Sequence, residues 1–153
     1  MRTNITKLLL LGCLVAATAL TLSAQGRGGR GPAPLSTTPY DLWTSAQLAT
    51  PGNLGNYGSQ TASVQRRDVG AAPETHTDFS HFLMMTSGAG DFIVGGQIVD
   101  GPDGKKIIRG GDTHKIVLGE MYHIPINTPH QVVPNPGTSV TYWVTNIYIP
   151  GKP

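Results

Sequence analysis

Residues 119–130 read Gly119-Glu-Met-Tyr-His-Ile-Pro125-Ile-Asn127-Thr-Pro-His130, and the fold is decided by how they are read. Positions 121–124 are a short β-prone run. Pro125 ends it, because proline brings no N–H to a sheet ladder. Asn127 stands where a turn needs a residue tolerant of positive φ, and His130 opens the next run. A turn of this kind aims the imidazole across a sheet at groups supplied from elsewhere in the chain.

Those groups stand upstream. Residues 73–88, P-E-T-H-T-D-F-S-H-F-L-M-M-T-S-G, hold Glu74, His76, Asp78 and His81 just ahead of an apolar stretch, and two of the chain's five histidines are among them. In an extended strand His81, Leu83 and Met85 share one face, so an inward His81 carries an apolar wall beside it. Imidazoles and a carboxylate drawn from separate strands are the donor set of a divalent transition-metal site.

Outward from these two stretches the chain keeps a β rhythm. Short runs at 59–67, 81–86, 91–94, 97–99, 106–108, 115–118, 121–124, 130–133 and 139–149 recur between Gly, Pro, Asn and Asp. In the last, Val140, Tyr142, Val144 and Tyr148 fall on one face, with Thr141 and Thr145 opposite. Nine short strands with hardly any helix predict an all-β antiparallel sandwich or barrel. One short N-terminal helix fits after Thr44, where Gln47 three residues on completes a capping box and Pro51-Gly52 stops the chain. Residues 53–58 read as turn material.

The first 24 residues read as a secretory signal: Arg2 and Lys7, an apolar run 8–20, then small residues up to Ala24. A lipoprotein reading of Leu10-Leu11-Gly12-Cys13 leaves an oily segment where a polar tether belongs. The apolar run is shorter than the roughly 20 residues that span a bilayer. The expectation is therefore an exported chain, periplasmic or extracellular, with no stable membrane anchor. A flexible Gly/Arg/Pro-rich leader covers 25–38 and one β domain covers 39–153. Of eleven Lys and Arg, two leave with the signal, so nine face nine acids. That balance offers no electrostatic grip on nucleic acid or anionic membrane. The single cysteine, Cys13, also leaves, and with it any disulfide or thiolate ligand.

Over residues 59–148 the sequence resembles the cupin family. The family's second motif runs Gly, five residues, Pro-x-Gly, two residues, His, three residues, Asn. Gly119, Pro125 and His130 are in register with it. Asn127 replaces the central glycine, and Pro134 takes the last position, with Asn135 one place late. The first motif, Gly, five residues, His-x-His, three or four residues, Glu, six residues, Gly, ends at Gly88. It lays His81 on the family's glutamate, His76 on its second histidine and Glu74 on its first, while Asp68 replaces the leading glycine. The order is permuted and the inventory kept: three imidazoles and one carboxylate.

The resemblance implies a jelly-roll β-barrel holding one divalent metal (Mn, Fe, Co, Ni, Cu or Zn) through His76, His81, His130 and Glu74. It further implies a metal-dependent oxidoreductase of dioxygenase type, or an isomerase, on a small polar organic substrate. The alternative is a non-catalytic periplasmic module that binds a small ligand or a metal. Many cupins pair through strand edges, and an unprotected edge near 59–67 points to a homodimer. Asp78 reads as a loop residue or an orienting partner, His114 and His123 as structural or exposed, and Met84 and Met85 as core filler. Gly95-Gly96 and Gly110-Gly111 read as turns. Because ligating imidazoles must be neutral, metal is expected to leave as pH falls through about 6.

Overall fold

A computed structural model describes residues 34–151; the stretch 1–24 read as a signal, and residues 25–33 of the stretch read as a leader, lie outside the described residues. The capping box forms as read. Gln47 N donates to Thr44 Oγ1 and Thr44 N to Gln47 Oε1, opening helix α1 (Ser45–Ala49). Ten strands follow: β1 (Gly52–Asn56), β2 (Gln60–Asp68), β3 (Phe79–Ser87), β4 (Gly90–Val94), β5 (Gln97–Asp100), β6 (Lys106–Arg109), β7 (Asp112–Lys115), β8 (Met121–Ile124), β9 (His130–Pro134) and β10 (Ser139–Tyr148).

Every ladder is antiparallel. One sheet runs β1-β2-β10-β3-β8, a second runs β7-β4-β9, and β5-β6 is a separate hairpin. The all-β, antiparallel expectation holds. Among the described residues no ladder joins the two larger sheets into one closed barrel. An isolated bridge between Glu74 and His130 ties the loop ahead of β3 to β9.

The period of two places the core. Val140, Tyr142 and Val144 of β10 are buried with Leu83 and Met85 of β3, Phe92 of β4, Ile124 of β8 and Val132 of β9. Phe92 is fully enclosed and meets Tyr122 edge to face at 4.7 Å. The turn from β3 to β4 needs its glycine: Gly88 has φ +93°, and a Cβ there would run into the Ser139 carbonyl oxygen.

Strand β2 reverses the usual burial. Its register sets Thr61, Ser63, Gln65 and Arg67 opposite Asn146, Val144, Tyr142 and Val140, so these polar side chains face the core side, half-buried. Ala62 and Val64, on the outer face, are the buried ones. The cause is the chain before β2: Trp43 and Tyr57 join Ala62, Phe82 and Trp143 around an outer cavity of about 330 Å³.

Three sequence expectations shift. Residues 53–58, read as turn, contribute β1, which pairs along β2 with a bulge between Asn53 and Gly55. Pairing overrides the poor β propensity of Gly and Asn there. Because β1 and β10 flank β2, the open edge expected at 59–67 moves out to β1. The run at 115–118 is displaced to β7, where pairing with β4 selects Asp112–Lys115, and Val117 and Leu118 are left exposed. Among the described residues no helix is long and apolar enough to cross a membrane.

Phe92→Ala removes a fully enclosed ring that touches both sheets. It should lower the unfolding free energy by roughly 3–5 kcal/mol in denaturant titrations. A loss below 1 kcal/mol would mean that Phe92 is not central to the packing.

Candidate metal centre

Position 81 lies on the inward face of β3, opposite Asn146 of β10 and Ile124 of β8. His130 enters from the other sheet, at the start of β9. Asn127 makes the preceding turn with φ 58°, as its place after Pro125 predicted. That turn grips the first-motif loop: Asn127 N donates to His76 O at 2.7 Å, Glu74 N to His130 O at 2.8 Å, and His130 N back to Glu74 O at 2.9 Å. Two stretches over fifty residues apart are thereby stitched together by backbone alone.

The side chains follow. Ring centroids lie 4.5 Å apart for His76 and His81, 5.1 Å for His81 and His130, and 5.4 Å for His76 and His130. One donor nitrogen from each falls within 4.8 Å of the others. A shared ion would need bonds of about 2.0–2.1 Å to each of these nitrogens. Phe79 stacks on His76 at 4.5 Å and closes that side with hydrocarbon.

Hydrogen bonds select the tautomers. His81 Nδ1 donates to Asn146 Oδ1 at 2.8 Å, and His130 Nδ1 to Thr128 O at 3.0 Å. A carbonyl oxygen can only accept, so each neutral ring keeps a bare lone pair on Nε2. The Nε2 atoms of His76 and His81 are buried with no hydrogen-bond partner among the described residues. A buried polar atom left this way costs about 1–3 kcal/mol. A cation between the rings would satisfy both, so the residues fit a metal.

Glu74 is arranged differently from the imidazoles. Its Oε1 accepts from Arg67 Nη2 at 2.7 Å, while Oε2 stands 3.8 Å from His76 Nε2. The carboxylate thus spans the interval between a guanidinium and the imidazole cluster. Asp78 is outside the cluster and accepts from the Thr77 hydroxyl. His123 is exposed and stacks on Phe82, and His114 is exposed beside Tyr122, both as expected. Asn146, Arg67 and Phe79 were missed. For Asn146 the signal existed: it continues the inward series 140, 142, 144 as a lone amide in an apolar row.

Burial, followed by the neighbouring His76 and His130 rings, pushes the His81 imidazole down to about 4. Burial also lowers His130. Both rings are neutral at pH 7. The same shift governs the metal-free fold. Above pH 6.5 His81 is neutral whether folded or unfolded. As pH falls from 6.5 towards 4 the unfolded ring takes a proton that the folded ring refuses, so stability drains across that window. The loss from His81 is on the order of 3 kcal/mol. Urea melts in chelator should show it, and His81→Gln should flatten the slope; equal slopes in both proteins would refute this assignment.

No protein-family profile matches the chain, and no curated protein matches it in sequence. Solved structures do match in fold. A protein from Bacillus halodurans aligns at TM-score 0.51 and 15% identity, covering 78% of this chain and 89% of that one. A cupin protein from Bacteroides fragilis aligns at TM-score 0.48 and 14% identity, over 76% and 90%. A cupin 2 conserved barrel domain protein from Rhodopseudomonas palustris aligns at 0.47 and 18%, over 66% of this chain and 60% of that one. The likeness to the Bacillus halodurans protein is one of fold.

Proposed function

We propose that this chain is an exported cupin that holds one divalent transition metal between His76, His81 and His130, with the Glu74 carboxylate as fourth ligand. The observation that carries the reading is the pair of buried Nε2 atoms on His76 and His81 with no hydrogen-bond partner among the described residues, in a cluster where Asn146 and Thr128 fix the tautomers of His81 and His130. Hydrogen bonds to the distal nitrogen of ligating histidines orient the ring and raise its basicity. The bound ion would supply Lewis acidity towards a small polar organic ligand, and a redox-active one would add oxidative chemistry of the dioxygenase type. The protein's own part is to keep the imidazoles neutral, to screen them with Phe79, Leu83 and Phe92, and to place Glu74 beside them.

A non-catalytic metal-binding module is the second reading. It is favoured by the narrowness of the void bordered by Glu74, His130 and Tyr142, about 10 Å³. That is room for about one water. Oxygen uptake by the loaded protein with phenolic, diketone and sugar substrates separates the two.

Purified mature protein should bind one Zn2+ or Co2+ per chain in calorimetry and gain thermal stability from it. His130→Ala should lose the site, and Asn146→Ala should weaken it about 10–100-fold by releasing His81. Full metal retention by His130→Ala would remove the proposal. N-terminal sequencing of the exported protein should read from Gln25.

A further inference from the structure

Both tryptophans of the chain border the outer cavity, on the face of the five-stranded sheet turned away from the histidines. Ala62 of β2, Phe82 of β3, Met121 of β8 and Trp143 of β10 make its floor, and their registers set them on that outer face. Trp43 and Tyr57, from the chain ahead of β2, make the other wall. The rings of Trp43, Tyr57, Phe82 and Trp143 are half-buried, and among the described residues no ring contact joins any two of them. Phe82 stacks on His123 instead. Aromatic rings gain from offset or edge-to-face pairing, so four that surround one space without pairing favour a further ring among them.

Size and charge narrow the occupant. The volume of about 330 Å³ falls within the roughly 300–1,000 Å³ of small-molecule sites. A cavity of roughly 150 Å³ takes one benzene, so this one suits two fused rings. No residue bordering it is charged, and Gln60 and Thr145 bring an amide and a hydroxyl to a border that is mainly hydrocarbon and aromatic. The walls are set in advance. Tyr57 Oη donates to Asp41 Oδ2 at 2.6 Å, and Asp41 also accepts from Ser36 and Thr38. Gly55 makes way for the Tyr57 ring, because a Cβ there would run into it. Trp43 directly precedes the capped start of α1. A site formed before its ligand arrives spends little on ordering.

We propose that the outer cavity is a ligand site for a neutral aromatic molecule of two fused rings, held among Trp43, Tyr57, Phe82 and Trp143. The site is separate from the histidine cluster, and nothing in it draws on the metal reading. It disfavours an anion twice over: the border strips water from the charge, and the Asp41 carboxylate beside Tyr57 repels it. A saccharide brings more hydroxyls than this border can satisfy.

Naphthalenemethanol is the probe, titrated into the mature protein while the indole N–H signals of Trp43 and Trp143 are followed by proton NMR. Both signals should shift, and calorimetry should saturate at one molecule per chain. Naphthoate, the same rings with a negative charge, should bind about tenfold more weakly or worse, and glucose should move neither signal. Trp43→Ala, in the segment outside the sheet, should weaken the probe about tenfold, read on the Trp143 signal. Thr145→Phe, which fills the cavity from β10 with a residue that strands favour, should abolish binding. Circular dichroism checks that each variant folds, and the phenylalanine variant carries the comparison if the alanine variant does not. Unmoved indole signals at millimolar probe overturn the site, as does equal affinity in wild type and either folded variant. Tighter binding of naphthoate or glucose overturns the ligand class, and a dimer in sedimentation that the probe cannot enter makes the cavity an interface between copies instead.

Discussion

The reciprocal backbone pair between Glu74 and His130 is the constraint on which the site depends. Two hydrogen bonds, 2.8 and 2.9 Å, make a one-residue piece of sheet between an irregular loop and the first residue of β9. A third, from Asn127 N to His76 O, prolongs the contact around the turn. Loops carry backbone groups that must find partners wherever water is excluded. Here those partners are each other. The loop is thereby fixed against the strand that bears the third histidine, without any contribution from the clustered side chains.

That separation of duties frees the side chains to be poorly satisfied. His76 and His81 present buried nitrogens with no hydrogen-bond partner among the described residues, and His81 is held so far from protonation that burial costs the fold stability on acidification. A core residue chosen for packing alone would be apolar here. The surrounding hydrocarbon of Leu83, Met85 and Phe92 shows what this fold does with such positions when no chemistry is asked of them. Unsatisfied groups in a well-packed region call for an explanation, and an ion held between the rings is one that these residues fit.

The asymmetry of β2 belongs to the same design. Covering Ala62 and Val64 from outside, through Trp43 and Tyr57, lets the strand keep its apolar anchoring on the outer face. Its core face is then available for Thr61, Ser63, Gln65 and Arg67. The short N-terminal segment thus contributes to the site indirectly, by supplying the packing that a polar inner face cannot. Glu74, held between Arg67 and the imidazoles, joins this polar row to the histidine cluster.

Sequence by itself determined the local chemistry. Pro125, Asn127 and His130 specified a strand end, a positive-φ turn and a strand start; Thr44 and Gln47 specified a helix cap; His81, Leu83 and Met85 specified one inward face. Each depends only on residues within a turn or on the period of a strand. Tertiary structure alone decided the rest. β1 exists because β2 offers it a ladder, not because Gly52–Asn56 favours extension, and that pairing moved the sheet edge away from β2. The partnership of Asn146 with His81, and of Arg67 with Glu74, joins residues on separate strands and loops whose side-chain reach no periodicity encodes. Local sequence sets which way a side chain faces; long-range pairing sets what it meets there.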